Sequence, residues 1–314
     1  MNSIVDSGVA EAPLRIVAGP TGAGKSSLAF ALAERRRAVI VSADSRQIYR
    51  GFDIGTAKPT AAERARVPHE GVDVADPAER WSAARWAECA TGWIADATSR
   101  GQPALVVGGT GLWLRALVRP LADEPPLDPE RRRALGVELG ALSTEALRTR
   151  VERLDPPRAH LGRTQLLRAA EVALLTGTRI SDWHAVGASK PRRRARWLIV
   201  DPGPALLGQL AARLEAMFAA GWEDEVRALQ GRVPDDATAW NACGYQEVRD
   251  LVDGRRTRAG AEEVIRIRTR QYAKRQRTWF RNQLDDESQV RRLDPTDPTA
   301  ARRGVEWLFE GVDA

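Results

Sequence analysis

Residues 19–26 of the chain read Gly19-Pro20-Thr21-Gly22-Ala23-Gly24-Lys25-Ser26. An apolar run typical of a buried strand, Leu14–Ala18, precedes this segment, and a helix-like run over 27–35 follows it. A phosphate-binding P-loop requires this strand-loop-helix setting. The glycines let backbone N–H groups face an anion, Lys25 adds a positive charge, and Ser26 offers a hydroxyl to Mg²⁺. The segment predicts a site that binds a di- or triphosphate.

A P-loop identifies how a substrate is held but not which reaction it undergoes, since kinases, ATPases, GTPases and pyrophosphate-releasing transferases all use it. The third apolar run of the chain leads into Gly108-Gly109-Thr110-Gly111-Leu112, where an ATPase would have a metal-binding acid. This argues against ATP hydrolysis. The glycines fit close approach of the backbone to a ligand and equally a tight strand-to-helix turn. Thr110 offers a hydroxyl to either substrate.

The composition is that of an ordinary soluble globular protein. The 314 residues are 43% hydrophobic, enough for one large core or for a core and a smaller domain. A formal net charge of +6 favours phosphate-rich partners. Cys89, Cys243 and the three histidines have no metal-ligand spacing, which argues against a disulfide framework or a zinc site. Without a signal-like N-terminus or a run of membrane-spanning length, we expect a cytoplasmic protein with no membrane partner.

The spacing of short apolar runs predicts the fold class. Runs typical of buried strands occur at residues 14–18, 38–41, 104–107 and 197–200, with a further strand expected near 290–293. The stretches between them are long enough for crossover helices. The pattern predicts an α/β fold with a P-loop NTPase-like parallel sheet and helices on both faces.

The composition of the chain changes after Arg119, where several prolines occur: Pro120, Pro125, Pro126 and Pro129. A charged, Leu- and Ala-rich helical stretch follows and ends near the basic run at 190–194. We therefore predict a discontinuous catalytic core of residues 13–119 and 195–300, interrupted by a helical insertion domain of residues 120–194.

An amphipathic helix that ends at Gly221 is predicted after residue 204. Apolar residues recur there at helical spacing. We expect them to contact the core: Leu206, Leu207, Leu210, Leu214, Met217 and Phe218.

Asp44 lies in the segment Ser42–Gly51, which follows directly on the second apolar run. In an open parallel sheet, ligands bind beyond the carboxyl ends of the strands, so Asp44 would emerge beside the P-loop. From its position alone, Asp44 can cap the next helix, hold Mg²⁺ through water or act as a general base, and all three readings stay open.

Residues 266–281 form a dense basic segment with interleaved aromatic residues. Basic side chains bind phosphates and aromatic rings stack on bases, so the segment resembles a nucleic-acid contact surface. The alternative is a solvated basic helix face with Trp279 and Phe280 in the core.

Several of these segments, in this order along the chain, closely resemble the bacterial tRNA dimethylallyltransferase family. The most specific is Asp44-Ser45-Arg46-Gln47 running into Asp53-Ile54-Gly55-Thr56-Ala57-Lys58-Pro59, together with Gln271-Tyr272-Ala273-Lys274-Arg275-Gln276 ahead of Trp279-Phe280-Arg281. The P-loop, the Gly108–Leu112 segment and Gly244-Tyr245-Gln246-Glu247 complete the resemblance, which spans most of the chain.

The resemblance implies transfer of a dimethylallyl group from dimethylallyl diphosphate to N6 of adenosine 37, in tRNAs that read codons beginning with U. The P-loop would then hold a diphosphate leaving group, with Mg²⁺ as the cofactor at Ser26. Asp44 matches the general base of the family, and Arg213 would add charge at the diphosphate. The diphosphate-binding residues that the resemblance implies are Gly19, Pro20, Thr21, Gly22, Ala23, Gly24, Lys25 and Ser26.

By the same resemblance, the partner is the tRNA anticodon stem-loop. Adenosine 37 would be extruded into a channel that meets the allyl donor from the opposite end, and the helical insertion would hold the anticodon stem. The implied tRNA-binding residues are Asp44, Ser45, Arg46, Gln47, Thr110, Arg132, Gln165, Leu166, Leu167, Arg168, Ala169, Gly244, Tyr245, Gln246, Arg270, Lys274, Arg275 and Arg277.

The chain departs from the family pattern at two places. Trp113 stands where the family usually has tyrosine, and Gly162-Arg163 replaces an Asn-Asp pair ahead of Gln165. The insertion therefore matches more loosely than the core. Alternative functions are an adenylate isopentenyltransferase acting on free AMP, ADP or ATP, a P-loop small-molecule kinase, and a noncatalytic RNA-binding module. We expect a monomer.

Overall fold

The computed structural model describes residues 12–119, 127–187, 192–284 and 286–310. Contacts divide the chain into two compact units. The core unit comprises the chain up to Val118 and from Arg193 onward, and the helical unit is Arg119–Arg192. Parts of the predicted insertion, residues 120–126 with Pro120, Pro125 and Pro126, and residues 188–191, lie outside the described residues.

A six-stranded parallel sheet forms the centre of the core unit. In chain order its strands are β1 (Leu14–Ala18), β2 (Val39–Ala43), β3 (His69–Glu70), β4 (Ala104–Gly108), β5 (Ala195–Val200) and β6 (Val290–Leu293), and their spatial order is β3-β2-β4-β1-β5-β6. The predicted α/β class is confirmed. The short β3 was missed because two residues, one of them charged, give no apolar run.

The helices complete the α/β architecture. They are α1 (Lys25–Arg36), α2 (Ala61–Arg66), α3 (Ala83–Ser99), α4 (Gly111–Val118), α5 (Pro129–Gly140), α6 (Thr144–Leu154), α7 (Arg163–Thr176), α8 (Ile180–Gly187), α9 (Leu206–Ala219), α10 (Trp222–Leu229), α11 (Tyr245–Val252), α12 (Arg258–Asn282) and α13 (Pro298–Phe309). Every residue of β1, β2 and β4 is buried, which requires that both faces of the sheet are covered. In the described residues, no helix has the length and apolar character needed to cross a bilayer.

Trp113, one departure from the family pattern, is part of the packing around β2. It stacks on Trp86 of α3 with the ring centroids 5.1 Å apart. The indole N–H of Trp86 in turn donates to the backbone oxygen of Ser42 at 3.1 Å. The pair thus packs α3 and α4 together behind the end of β2.

The amphipathic helix predicted after residue 204 is α9. Leu206, Leu210, Leu214 and Phe218 are buried, as expected for one apolar face. The expectation was wrong for Leu207, which is 51% exposed in the first turn of the helix. Gly221 adopts a left-handed φ of 91° and forms the N-cap of α10, so it links two helices.

The helical unit has a small core of its own. Leu147 and Val151 of α6 pack with Leu166 and Ala169 of α7. Arg163, at the second departure from the family pattern, donates to the backbone oxygens of Leu142 (2.7 Å) and Gly140 (2.8 Å). Gly140 is the last residue of α5 and Leu142 lies two residues beyond it, where carbonyl groups have no partner within the helix. The departure from the family pattern at Arg163 is therefore explained by a structural role within the helical unit.

Lys58 has a structural role in the segment that follows Asp53. Its ammonium donates to the backbone oxygen of Tyr49 (2.7 Å) and to the carboxylates of Asp53 (2.5 Å) and Asp73 (2.6 Å). A buried ammonium is stable only when such partners surround it. Because its three donors are satisfied, Lys58 holds this loop together and is not available to a ligand.

Candidate functional site

The P-loop lies between the carboxyl end of β1 and the first turn of α1. Gly19 is confined by β5, because a Cβ there would approach the backbone oxygen of Val200 to 2.2 Å, and its φ is +146°. The ammonium of Lys25 reaches back to the backbone oxygen of Pro20 at 2.7 Å. Helix α1 begins at Lys25, so its N-terminal N–H groups and the positive end of its dipole face the loop.

A cavity of about 450 Å³, here called the P-loop cavity, opens above this loop. Its lining includes Thr21, Gly22, Ala23, Gly24, Lys25, Ser26, Asp44, Gln47, Lys58, Gln209, Arg213, Tyr272 and Gln276. Two cations in it, Lys25 and Arg213, form no ion pair with a described residue. Unpaired cations beside backbone N–H groups make the cavity suited to a polyanion.

The pKa values of Lys25 and Arg213 are both lowered in the P-loop cavity. Burial, followed by the nearby charge of Arg213, lowers the pKa of Lys25 to about 8, while Asp44 opposes the shift. Burial also lowers the pKa of Arg213, again opposed by Asp44. Burial makes the charged form of both side chains less favourable, and the charge of Arg213 adds to this effect at Lys25, so an anion bound between them would stabilise both charges.

A second cavity, of about 770 Å³, adjoins the first. Its lining includes Ser45, Arg46, Thr110, Asn241, Cys243, Gly244, Gln246, Arg268, Thr269 and Arg275. Four residues line both cavities: Thr21, Asp44, Arg213 and Tyr272. We call these four residues the junction. A group held in one cavity can react there with a group held in the other.

Asp44 lies at the junction in a local turn. The backbone N–H of Arg46 donates to its Oδ1 at 2.8 Å, while its Oδ2 accepts no hydrogen bond from a described residue. The turn is fixed from outside, because the backbone N–H of Ser45 donates to Thr110 Oγ1 at 3.1 Å. Asp44 precedes no regular helix, so helix capping does not explain it. One carboxylate oxygen remains available to a substrate.

Gln47 and Lys58, in contrast, use their polar groups inside the protein. The amide of Gln47 donates to the backbone oxygens of Thr56 (3.2 Å) and Ala57 (3.0 Å), and its Oε1 accepts from Ser42 (3.1 Å). The side chain joins the Asp44 turn to the Lys58 loop. Its predicted contact with tRNA would have to compete with these bonds.

The glycine segment after β4 is explained by close packing within the protein. A Cβ on Gly108 would approach the backbone oxygen of Ala43 to 2.2 Å, and one on Gly111 would approach the Trp279 ring to 2.3 Å. At Gly109 the obstacle is the amide of Gln276, also at 2.3 Å. The sequence left two interpretations of these glycines open, close approach to a ligand and a tight strand-to-helix turn. The distances support the tight turn.

Gln276 is a functional-site residue that the sequence did not single out. It is 6% exposed. Its Oε1 accepts from the backbone N–H of Thr21 in the P-loop, and its amide donates to the backbone oxygen of Gly109, both at 2.8 Å. The bridge joins α12 to the P-loop and to the turn after β4. Since Thr21 and Gln276 are 255 residues apart in sequence, no local pattern could reveal it.

The basic segment lies in α12 and has two kinds of residue. Arg270, Lys274 and Arg275 are exposed and remain available to an RNA backbone. Arg277 is not, because its guanidinium binds the carboxylate of Asp201 (2.8 and 2.5 Å) and the backbone oxygen of Gly203 (2.6 Å). Phe280 is buried at 2% exposure, as the core alternative expected. Part of the segment is therefore available for nucleic-acid contact, and part of it packs inside the protein.

The turn around Gly244 also has both exposed and buried residues among those predicted to bind tRNA. Gln246 is exposed and lines the second cavity. Tyr245 is fully buried, and its hydroxyl donates to Glu225 at 2.6 Å, which assigns its side chain to packing. A Cβ on Gly244 would approach the ring of Trp222 to 2.3 Å.

Within the helical unit, the predicted tRNA residues also separate by burial. Leu166 and Ala169 are completely buried, so their side chains belong to the core of the unit and the expectation of direct contact was wrong for them. Leu167 is partly buried against the same core. Arg132 pairs with Glu171 at 2.7 Å, and Arg168 pairs with the same carboxylate. Gln165 is exposed on the first turn of α7.

The residues present fit a magnesium ion that is held mostly by substrate. Ser26 is exposed in the P-loop cavity, and its hydroxyl has no hydrogen-bond partner among the described residues. In the same part of the chain, no group of three or more His, Cys, Asp or Glu side chains could hold a metal. One hydroxyl together with phosphate oxygens is a usual setting for Mg²⁺.

Two family models match the chain. The IPP transferase model matches residues 47–283, and the isopentenyl transferase model matches residues 12–68. A tRNA dimethylallyltransferase of Anaeromyxobacter sp. (strain Fw109-5) is 41% identical over 307 residues, which cover 96% of each chain. That of Deinococcus radiodurans is 41% identical over 282 residues, covering 87% of this chain and 91% of the relative.

Solved structures agree with this relationship. The tRNA isopentenylpyrophosphate transferase of Bacillus halodurans aligns with a TM-score of 0.65 at 30% identity, covering 96% of this chain and 99% of that one. A eukaryotic dimethylallyltransferase acting on tRNA shares the fold, with a TM-score of 0.80 at 23% identity over 96% of this chain and 79% of that one. Because a family model covers most of the chain and curated relatives align along nearly all of it, the chain belongs to the IPP transferase family, the tRNA dimethylallyltransferases.

Proposed function

We propose that the protein transfers the dimethylallyl group of dimethylallyl diphosphate to N6 of adenosine 37 in tRNAs that read codons beginning with U. Membership of the family supports a tRNA prenyltransferase. The observation that carries the assignment of the site is the junction, where a cationic P-loop cavity meets a second cavity at Asp44 and Arg213. A diphosphate ester in the first cavity and an extruded adenine in the second would place the reacting atoms there.

The chemical step breaks one bond and forms another. The bond between C1 of the allyl group and its diphosphate oxygen breaks, and the electron pair leaves with diphosphate. The lone pair of N6 forms the new bond to C1, and Asp44 takes the proton that N6 loses. The carboxylate oxygen that accepts no hydrogen bond within the described residues is suited to this role.

The charge that develops on the leaving group determines what the P-loop must do. Lys25, Arg213 and the N–H groups at the start of α1 would stabilise the diphosphate as its negative charge grows. Ser26 would hold Mg²⁺, which when bound neutralises part of the diphosphate charge. The N–H groups at the start of α1 are held in place by the helix before the substrate binds, so this part of the site needs little reorganisation during the reaction.

Two observations favour tRNA over a free nucleotide as the acceptor. The second cavity is larger than the first, at about 770 Å³ against about 450 Å³. It is bordered by α12, whose exposed cations Arg270, Lys274 and Arg275 suit a phosphate backbone. A free nucleotide would leave these cations unused. We therefore assign the tRNA contacts to the exposed members of the predicted set, including Ser45, Arg46 and Gln246.

The acceptor is tested by nucleoside mass spectrometry. The protein is incubated with Mg²⁺, dimethylallyl diphosphate and either unmodified tRNA with adenosines at positions 36 and 37 or free AMP. We expect dimethylallyladenosine from the tRNA alone. A product from AMP alone would assign the protein to free-nucleotide prenylation, and phosphorylated products with ATP would assign it to the kinases.

Asp44→Asn tests the general base. Asparagine keeps an oxygen for the Arg46 N–H but cannot accept the N6 proton, so kcat should fall by roughly 10²–10⁴-fold. The affinity for tRNA, measured by filter binding, should change by less than about threefold. Asp96→Asn, an exposed position on α3, is the matched control. Normal turnover by the Asp44 variant would exclude it as the base.

The pKa of Lys25 predicts how diphosphate binding depends on pH. Since burial lowers this pKa to about 8, the lysine is charged below pH 8 and loses its charge as the pH rises above it. Affinity for pyrophosphate should therefore decrease above pH 8, approaching roughly tenfold per pH unit. Lys25→Arg keeps the charge, so the ratio of its affinity to that of the wild type should rise over this range.

Calorimetric titrations of both proteins with pyrophosphate, from pH 6.5 to 9.5, measure this ratio. The protonation of pyrophosphate itself affects both proteins equally and cancels. A ratio that stays constant with pH would show that Lys25 does not lose its proton in this range.

Arg275 and Arg277 provide a matched pair on α12. Arg275→Gln should weaken binding to every tRNA and reduce the slope of log K against log salt by about 1, because an exposed phosphate contact is lost. Arg277→Gln should leave that slope unchanged and lower the thermal midpoint instead, since it breaks the bonds to Asp201. Equal salt slopes for the wild type and Arg275→Gln would remove Arg275 from the interface.

A further inference from the structure

Tyr272 is the junction residue that neither the P-loop nor the general base explains. It lies on α12, is partly buried, and lines both cavities. The other junction residues, Thr21, Asp44 and Arg213, present polar groups. Tyr272 therefore supplies the aromatic surface at the place where the two cavities meet.

The hydroxyl of Tyr272 is not available for proton transfer near neutral pH. Burial, with a contribution from nearby Asp44, raises its pKa to about 12. Thr110, whose Oγ1 accepts the backbone N–H of Ser45 at 3.1 Å, is among the neighbours that affect this pKa. The phenol is thus neutral and lies near the turn that carries Asp44, and the ring is its apolar part at the meeting point of the cavities.

Two neighbours on α12 fix the ring relative to the phosphate site. Gln276, one helical turn further along, binds the P-loop at Thr21 and the turn at Gly109. The guanidinium of Arg275 lies 5.8 Å from the centroid of the Tyr272 ring. Because Gln276 anchors this part of α12 to the P-loop and to the turn after β4, the ring keeps its position between the cavities.

The proposed reaction makes such a surface necessary. As the bond between C1 and the diphosphate oxygen breaks, C1 becomes strongly electrophilic and reacts with any nucleophile in reach. Water would form a C–O bond at C1, diphosphate would leave with the electron pair, and the water proton would pass to solvent. The products would be dimethylallyl alcohol and diphosphate instead of modified tRNA. Polar side chains at the junction would hold water at C1 unless an apolar surface displaced it.

We propose that the ring of Tyr272 shields the transfer centre from water and so directs the dimethylallyl group to the adenine nitrogen. This inference rests on the proposed function and assigns to Tyr272 the partition between transfer and hydrolysis. The ring, and not the hydroxyl, carries the role.

Two substitutions separate the ring from the hydroxyl. Tyr272→Phe keeps the ring and loses the hydroxyl, whereas Tyr272→Leu removes the aromatic surface. Each protein is given dimethylallyl diphosphate labelled in the allyl group together with tRNA, and prenylated tRNA and dimethylallyl alcohol are quantified in the same sample. Trp81→Leu is the matched control, because Trp81 is a partly exposed aromatic residue that lines neither cavity.

For Tyr272→Leu we expect the ratio of alcohol to prenylated tRNA to rise by roughly tenfold or more, while Tyr272→Phe and Trp81→Leu stay within about threefold of the wild type. A structural defect would lower both products together and leave their ratio unchanged. An unchanged ratio for Tyr272→Leu overturns the inference, and a rise of equal size for Tyr272→Phe assigns the role to the hydroxyl instead. If the wild-type protein forms no prenylated tRNA, the proposed function is wrong, and the inference about Tyr272 fails with it.

Discussion

The bridge made by Gln276 is the interaction on which the candidate site depends. A single buried amide accepts a hydrogen bond from the P-loop and donates one to the turn after β4. It thereby fixes α12, the helix with the exposed cations, against the phosphate site. A buried amide that lost either partner would cost about 1–3 kcal/mol, so the three segments are held in one arrangement. The second cavity and its junction with the first exist because α12 is held there.

The second feature of the site is the positive charge at the carboxyl edge of the sheet. Lys25 and Arg213 come from separate elements, yet both lie beside Asp44 and neither has an ion-pair partner among the described residues. In water such cations would be unremarkable. In this cavity burial lowers both pKa values, and the charge of Arg213 lowers that of Lys25 further, so a diphosphate bound between the two cations would stabilise both.

Local sequence patterns were sufficient for the sheet and the P-loop, because strand hydrophobicity and the glycine-lysine loop are encoded within a few residues. They failed where a role depends on a distant partner. Arg277 looks like an RNA-binding arginine until Asp201, 76 residues away, is seen to hold it. Tyr245 and Leu166 match family motifs, but their burial assigns them to the core. The two-residue β3 has too few residues to form a pattern at all.

Hydrogen bonding sorts the motif residues into two groups with different tasks. Gln47, Lys58, Gln276 and Arg277 are satisfied by partners within the protein, so they hold the segments of the site together. In the P-loop cavity, the groups with unused hydrogen-bonding capacity among the described residues include Lys25, Ser26, one oxygen of Asp44, and Arg213. Buried or half-buried polar groups without partners are costly in a folded protein and persist where a ligand satisfies them. The unsatisfied set matches what the transfer reaction needs: cations for the leaving diphosphate, a hydroxyl for its metal ion, and a base for the incoming amine.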